Sequence, residues 1–268
     1  MFKINNLTYQ YDKTRKALDN VSMDFNKGNI IGIIGSNGSG KSTLFNNLMG
    51  ILKSTEGEIL YNGEQIKYDK KSLYNLRKEV GIVFQDPEKQ IFYSMVYDDI
   101  AFALRNIGID EKTIKERIHT ALEAVNGLQF IDRPVHNLSF GQKKRVTIAS
   151  ILVLNPDMII LDEPTAGQDF KHYTEIMEFL VDLNKKGVTI LMVTHDMHLM
   201  LEYTNKVIVL SEGEKIADNI PAYILTNKEI IEKANLKETS LHQLALKCDI
   251  EDTTKFVNKF IDYDRRVR

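Results

Sequence analysis

Residues 35–42 read Gly35-Ser36-Asn37-Gly38-Ser39-Gly40-Lys41-Ser42 and fit the pattern G-x-x-x-x-G-K-[ST]. An apolar run at 30–34 precedes them, as in a strand buried on both faces, and a helical stretch from about Lys41 to Leu52 follows. Glycines let the backbone wrap an anion so that successive N–H groups point inward, and the helix N-terminus adds positive potential. This context predicts a phosphate-binding loop rather than a flexible Gly/Ser segment. Lys41 would reach the β- and γ-phosphates, and Ser42 would offer its hydroxyl to Mg²⁺.

A second segment, Met158–Glu163, is an apolar strand that ends in two adjacent carboxylates. The carboxyl ends of buried parallel strands face the crevice in which ligands bind. Asp162 is therefore expected to hold Mg²⁺, and Glu163 to act as the general base on an attacking water. A strand ending in Asp-Glu could also be a solvated strand end. About 120 residues beyond a phosphate-binding loop, the catalytic interpretation is favoured.

A third segment, Leu138–Gln142, precedes a helical run that opens with Lys143, Lys144 and Arg145. Ser139 is a good N-cap residue, and Gly141 would allow close approach of the backbone to an anion. The same residues also suit an ordinary capped helix. Chemistry alone does not separate these two interpretations.

The composition excludes several classes of protein. The chain has 268 residues, a net charge of −2 and 43% hydrophobic residues, which is typical of a globular protein without a strongly basic surface for nucleic acid. Its one cysteine, Cys248, allows no internal disulfide and no zinc cluster built on cysteine. No apolar run approaches the ~18 residues of a membrane span, and the first residues lack the features of a signal peptide. We therefore expect a cytoplasmic protein that binds no nucleic acid.

The pattern along the chain predicts an α/β fold with a mainly parallel sheet. Short apolar strands alternate with helices at both ends of residues 2–218, and a mostly helical subdomain at about 87–154 interrupts them. Within that subdomain one helical face is formed by Ile114, Ile118, Leu122 and Val125. Residues 219–268 form a helical C-terminal extension, whose apolar stripes (Leu241, Leu244, Ala245, Cys248, and Phe256, Val257, Phe260, Ile261) either pack onto the domain or meet a partner.

Taken in order, the phosphate loop, Gln85, Leu138–Gln142, Met158–Glu163 and His195 resemble the nucleotide-binding subunit of an ABC (ATP-binding cassette) transporter. The resemblance covers about residues 2–218. It implies a P-loop NTPase cassette with a mainly parallel core sheet, an antiparallel β subdomain, a helical subdomain and ATP hydrolysis coupled to transport.

The resemblance also assigns roles to residues. Tyr11 matches the aromatic residue that stacks on adenine, Gln85 senses Mg²⁺ and the attacking water, and His195 contacts the γ-phosphate. Ser139 and Gly141 match the signature that closes on ATP bound to a second subunit, and 166–169 match a loop that crosses the dimer interface. The implied catalytic residues are Glu163, His195 and Gln85, and the implied metal ligands are Ser42, Gln85 and Asp162. The implied nucleotide-binding set is Tyr11, Gly35, Ser36, Asn37, Gly38, Ser39, Gly40, Lys41, Ser42, Thr43, Ser139, Gly141 and Gln142.

A narrower resemblance lies in 85–92 and 96–102, which are similar to the ATPases of energy-coupling-factor importers for cobalt, nickel and vitamins. In that group a groove beside Gln85 receives a coupling helix of the transmembrane subunit. Exposed Ile91, Phe92 and Tyr93 would make this contact, unless they pack inside the helical subdomain. The partners implied are a second ABC ATPase subunit, identical or different, a transmembrane coupling subunit and a substrate-binding membrane subunit, with the cassette peripheral at the cytoplasmic face of the membrane.

Three residues depart from the family pattern. Phe140 stands where most signatures have Gly, and we expect its ring to point away from the phosphate. Gln168 replaces the usual Leu and Phe170 the usual Pro in the interface loop.

The alternative functions are an ATPase of another ABC transporter such as an exporter, a non-transport ABC ATPase, and a nucleotide-dependent binding module. The single phosphate loop argues against the second, and Glu163 argues against the third.

Overall fold

The computed structural model describes residues 1–12, 15–165, 167 and 169–267. They form two compact units, Met1–Leu73 with Leu191–Arg268 (unit one) and Tyr74–Ile190 (unit two). The strands are β1 (Phe2–Gln10), β2 (Lys16–Phe25), β3 (Ile30–Ile34), β4 (Glu56–Tyr61), β5 (Glu64–Gln65), β6 (Val80–Val83), β7 (Met158–Asp162), β8 (Thr189–Val193), β9 (Lys206–Ser211) and β10 (Glu214–Asn219). The helices are α1 (Lys41–Leu48), α2 (Lys70–Glu79), α3 (Val96–Asn106), α4 (Glu111–Ala124), α5 (Phe140–Leu152), α6 (Phe170–Lys185), α7 (Met197–Tyr203), α8 (Pro221–Thr226), α9 (Lys228–Lys233), α10 (Ser240–Lys247) and α11 (Thr253–Val267).

Unit one contains an antiparallel sheet with the strand order β2-β1-β4-β5. Phe2 of β1 lies opposite Phe25 of β2 and Tyr61 of β4, and its ring packs against both of theirs. Asn62 and Gly63 both have positive φ between β4 and β5, which is the two-residue hairpin that the Asn-Gly pair predicts. This sheet is the antiparallel β subdomain expected from the resemblance.

Unit one also contains strands of the core sheet in the order β10-β9-β3-β8. The boundary between the units falls within β8, between Ile190 and Leu191. β3 runs parallel to β9, and β9 pairs antiparallel with β10. All five residues of β3 are buried, which confirms the prediction of a strand covered on both faces. Residues 35–40 lie between the carboxyl end of β3 and the start of α1.

Unit two pairs β6 with β7 in parallel, from Val80 opposite Met158 to Val83 opposite Leu161. Helices α3, α4 and α5 pack against one another, and α5 also packs on β6. The predicted apolar face of α4 is confirmed, since its members are at most 7% exposed: Ile114, Ile118, Leu122 and Val125. The described helices include none that is long and apolar enough to cross a membrane.

The C-terminal helices belong to unit one, where α11 packs against α8 and α10. Of the predicted stripe on α11, Val257 and Ile261 are buried and Phe256 is partly buried, whereas Phe260 is 41% exposed, so the stripe is confirmed only in part. In α10 the buried side chains are His242 and Ala245, whereas Leu244 is half exposed. The buried face of α10 is thus rotated away from the predicted stripe, because a helix of two turns is oriented by the surface against which it packs.

The close packing of Gly81 in β6 against Ile151 can be tested by substitution. A Cβ atom built on Gly81 would come within 2.0 Å of the Cγ2 methyl of Ile151. Gly81→Ala is expected to lower the free energy of unfolding by about 1–3 kcal/mol, the usual cost of overpacking, as measured by urea denaturation. Ile151→Ala makes room for the new methyl group, so the double variant should lose less than the sum of the two single losses. Additive losses would contradict the contact.

Candidate active site

The predicted phosphate-binding loop contains two glycines that lie close to the backbones of neighbouring strands. Gly35 and Gly40 have φ of 155° and 103°, a region that L side chains rarely adopt. A Cβ atom on Gly35 would lie 2.2 Å from the backbone oxygen of Leu210, and one on Gly40 would lie 2.5 Å from that of Ala17. Helix α1 begins at Lys41 with no side-chain cap on its first N–H groups. The N-terminus of α1 therefore offers N–H donors to an anion.

Lys41 places a positive charge within this loop. Its side chain is 9% exposed, and its ammonium donates to the backbone oxygens of Gly35 at 2.7 Å and Ser36 at 2.8 Å. A third donor contact reaches Ser39 Oγ at 3.4 Å. The loop thus holds the Lys41 ammonium in place, which is compatible with the predicted role in binding phosphate.

Tyr11 lies in the same unit as this loop. Its hydroxyl is 3.3 Å from Thr43 Oγ1 in the first turn of α1, and its ring packs edge-on against Tyr9. The ring is 63% exposed, which leaves a face available for stacking on a base. The geometry is compatible with the adenine-stacking role that the resemblance implies.

Arg15 is a residue that the sequence analysis missed. Its guanidinium Nη2 lies 3.9 Å from the position of a Cβ atom built on Gly38, so a second cation stands beside the loop. No motif includes this residue. Only the path of the chain after Tyr11, with the Arg15 N–H donating to Asp12 Oδ1 at 3.3 Å, places it there.

His195 follows β8 and is exposed in unit one. The next residue, Asp196, caps α7 by accepting the N–H groups of His198 and Leu199. Thr194 on the other side is buried, and its hydroxyl accepts the Asp196 N–H at 3.1 Å. The backbone on both sides of His195 is therefore fixed while its ring faces solvent.

The other predicted residues lie in unit two. A buried lysine, Lys144, contacts the backbone of two of them. The Lys144 ammonium donates to the backbone oxygens of Phe84 at 2.7 Å, Gln85 at 3.1 Å and Asp162 at 3.4 Å. Gln85 is exposed, and Asp162 is partly buried. Lys144 thus contacts both the loop after β6 and the end of β7.

Burial lowers the pKa of Lys144 to about 8, and the negative charges of Asp162, Glu163 and Asp86 oppose this shift. Glu163 has φ of 46°, which is uncommon for a residue other than glycine. Such backbone strain occurs often where a side chain is aimed at a ligand. Asp162 and Glu163 are both partly buried, so this strand end is not fully solvated.

The Ser139 segment forms a capping box at the start of α5. Gln142 N–H donates to Ser139 Oγ at 3.4 Å, and Ser139 N–H donates to Gln142 Oε1 at 3.0 Å. Gln142, predicted to bind nucleotide, thus uses its side-chain oxygen within the helix cap. The segment lines a cavity of about 370 Å³ within unit two, formed by Gln129, Phe130, Ser139, Phe140, Gly141, Gln142, Arg145, Gly167, Asp169 and His172.

Phe140 packs over a neighbouring loop. A Cβ atom on Gly167 would lie 3.2 Å from the Phe140 ring, so the ring covers the Gly167 backbone. Asp169 caps α6, and its carboxylate contacts both the N–H and the ring Nδ1 of His172. Ala166, Gln168 and the side chain of Phe170 lie outside the described residues, as do any consequences of the Gln168 and Phe170 departures.

Two aromatic rings project from unit two after Gln85. Phe92 is 79% exposed, which contradicts the alternative that it packs inside the subdomain. Tyr93 is 44% exposed, with its ring 5.5 Å from that of Phe102, and Ile91 is partly buried. The Asp99 carboxylate accepts the N–H groups of Phe92 and Tyr93 at 2.8 and 3.1 Å, while burial raises the pKa of Asp99. Phe92 is therefore exposed on a backbone that is held in place.

The residues expected to bind Mg²⁺ fit that ion by chemistry. Ser42, Gln85 and Asp162 supply hydroxyl, amide and carboxylate oxygens, which Mg²⁺ prefers. Among the described residues no group of three or more His, Cys, Asp or Glu could hold a metal ion. A Mg²⁺ ion that takes most of its ligands from phosphates and water is compatible with such a small protein set.

Comparison with known proteins gives consistent matches. The sequence model of the ABC transporter family matches residues 18–166. An ABC transporter ATP-binding protein of Clostridium perfringens is 53% identical over all of this chain, and one of Photobacterium profundum is 44% identical over 99% of it. The chain spans 47% of the length of each, so it corresponds to about half of these relatives.

Solved structures match over most of this chain. CbiO1 of Clostridium perfringens, described as part of the ABC transporter complex cbiONQ, has a TM-score of 0.80 and 41% identity, covering 91% of this chain and 98% of that one. The dimeric ATP-binding cassette MJ0796, bound to ADP and Pi, has a TM-score of 0.75 and 29% identity, covering 82% of this chain and 99% of that one. These likenesses confirm the predicted α/β cassette fold.

Lys41 gives the direct test of the phosphate-binding loop. Lys41→Ala removes charge-assisted hydrogen bonds to phosphate and is expected to weaken binding of a fluorescent ATP analogue by roughly 10- to 100-fold. Lys53→Ala removes an exposed lysine of the same unit that lies over the Tyr68 ring, and should leave the affinity unchanged. An unaltered affinity of Lys41→Ala would refute the role of the loop.

Proposed function

Because the chain belongs to the ABC transporter family of ATPase cassettes, we propose that it is the ATP-hydrolysing subunit that powers an energy-coupling-factor-type importer of a metal ion or vitamin. The observation that carries the importer assignment is the exposed Phe92–Tyr93 pair held by Asp99. The likeness to CbiO1, which belongs to a cbiONQ complex, supports it.

Binding of ATP is proposed to rest on unit one. Tyr11 would stack on adenine, the N–H groups of residues 35–43 would surround the phosphates, and Lys41 would neutralise them. Arg15 supplies a second positive charge beside Gly38. The cradle suits a phosphate chain because it offers donors and cations with no carboxylate of its own.

Hydrolysis is proposed to rest on Glu163, Gln85 and His195. Glu163 would accept a proton from water as the water oxygen bonds to the γ-phosphorus and the bond to the β-phosphate oxygen breaks. Gln85 would orient this water, and His195 would contact the γ-phosphate. Mg²⁺ bound by Ser42, Gln85 and Asp162 would supply positive charge to the β- and γ-phosphates.

Coupling is proposed to depend on a second ABC ATPase subunit. Ser139 and Gly141 would close on nucleotide bound to that subunit, for which the 370 Å³ cavity beside them provides room. Asp169 lies at this cavity, in the segment matching the interface loop. Since only ATP would complete these contacts, binding favours the closed dimer and hydrolysis releases it.

We further propose that residues 1–218 form the cassette, with the helical subdomain at about 87–154, and that 219–268 form an extension. The cassette would sit at the cytoplasmic face of the membrane. There Phe92 would contact a coupling helix of the transmembrane subunit, which would also hold a substrate-binding membrane subunit. An exposed aromatic ring on a fixed backbone is typical of a binding hot spot.

A pull-down from gently solubilised native membranes, with mass spectrometry, tests this assignment. The tagged protein should recover a multispanning membrane subunit and a small substrate-binding membrane protein. Phe92→Ala should lose both, whereas Tyr74→Ala, which removes another exposed ring of unit two, should retain them. Recovery of only ribosomal or DNA-bound proteins would overturn the transport function, and an exporter would yield no small substrate-binding protein.

Glu163→Gln is expected to bind ATP normally but to reduce phosphate release by at least about 100-fold, because the amide cannot accept the proton. The variant should accumulate as a closed dimer with ATP, which size-exclusion chromatography would detect. Glu123→Gln, an exposed change on α4, serves as the control. Turnover of Glu163→Gln within a few-fold of the wild type would contradict the general-base assignment.

A further inference from the structure

We propose that Lys144 is a positioning residue for ATP hydrolysis, because it fixes the backbone from which Gln85 and Asp162 project. The proposal rests on the ATPase function above and adds a residue to which no role has been assigned. Lys144 lies in the second turn of α5, and its side chain is completely buried. Its three hydrogen bonds end on the backbone oxygens of Phe84, Gln85 and Asp162.

These contacts begin where the sheet ends. The last paired residues of β6 and β7 are Val83 and Leu161. The next residues along each strand, Phe84 and Asp162, lie beyond that ladder, and both give their carbonyl oxygens to Lys144. The lysine thus joins the two chain segments where their strand pairing stops. An ammonium has three N–H donors, so one side chain can hold all three carbonyls.

Gln90 holds the same loop from its other side. Its Oε1 accepts the Phe84 N–H at 3.0 Å, and its Nε2 donates to the Ile82 oxygen at 3.2 Å. Phe84 therefore has its N–H bound by Gln90 and its oxygen bound by Lys144. Gln85 follows directly, with its backbone fixed and its side chain exposed. The backbone from which the Gln85 side chain projects is therefore held in place, while the side-chain amide can still rotate.

An ammonium is an expensive choice for this position. Burying a charge costs free energy unless donors and acceptors are matched, and the lowered pKa of Lys144 reflects that cost. A methionine would occupy a similar volume without the cost of burying a charge. It would, however, donate no hydrogen bond to the three carbonyl oxygens. The ammonium is therefore suited to holding specific backbone atoms in place. An apolar side chain would be enough if this position only had to fill space in the core.

The test compares Lys144→Met with Lys144→Arg, which keeps several donors, and with Lys143→Met. Lys143 is the adjacent lysine, but it pairs with Glu88 near the surface, so it controls for loss of charge. The measurements are kcat and KM for ATP, the affinity for a fluorescent ATP analogue, thermal unfolding, and Mn²⁺ binding to the protein–ATP complex by electron paramagnetic resonance.

Lys144→Met should lower kcat by about 10- to 100-fold and weaken Mn²⁺ binding, as loss of a group that orients metal ligands does. Its affinity for the ATP analogue should stay within about threefold, because the phosphate loop is intact, and this splits kcat from KM. Lys144→Arg should recover most of kcat, and Lys143→Met should match the wild type.

Two outcomes would overturn the proposal: kcat of Lys144→Met within about twofold of the wild type, or equal losses of kcat, ATP affinity and melting temperature in Lys144→Met and Lys144→Arg. If Lys144→Met does not fold, Lys144→Gln carries the test. A lower kcat at a normal melting temperature supports the proposal, and an unchanged kcat refutes it. A wild type without ATPase activity would instead overturn the proposed function itself.

Discussion

The hydrogen bonds from the Lys41 ammonium to the carbonyl oxygens of its own loop are the interaction on which the proposed chemistry depends. They require the loop to curl back over the start of α1. That path is possible only because Gly35 and Gly40 approach the backbones of β9 and β2 more closely than any Cβ atom allows. The strands of unit one thereby shape the loop, and a change in either sheet would move the cation.

Unit two uses the same device for a different purpose. Lys144 is again a buried ammonium bound to backbone oxygens, but it joins the ends of two strands instead of closing one loop. In both units a lysine contributes position as well as charge. Hydrogen bonds to backbone oxygens offset the cost of burying both lysines.

At Phe92 and Tyr93, the proposed contact with the transmembrane subunit, a carboxylate instead of an ammonium holds the backbone. Asp99 is partly desolvated, and two N–H donors from residues 92 and 93 offset that cost. The exposed rings are therefore carried on ordered backbone, so a partner would lose little conformational entropy on contact. Phe140 is an exposed ring of a different kind, since it lies against Gly167 and lines the cavity beside Ser139 together with Gly141.

The amino-acid sequence by itself determined the α/β fold, the glycine-rich loop between β3 and α1, the buried β3, the apolar face of α4 and the Asn62-Gly63 hairpin. Each of these depends on residues close together in the chain, whose period or turn chemistry is visible locally. Only the tertiary structure decided the contacts of Lys144, Gln90 and Arg15 and the buried face of α10. Lys144 meets Gln85 across 59 residues of chain, and Arg15 is placed by the path that brings it to Gly38. Such contacts depend on how strands and helices pack, and no local pattern encodes them.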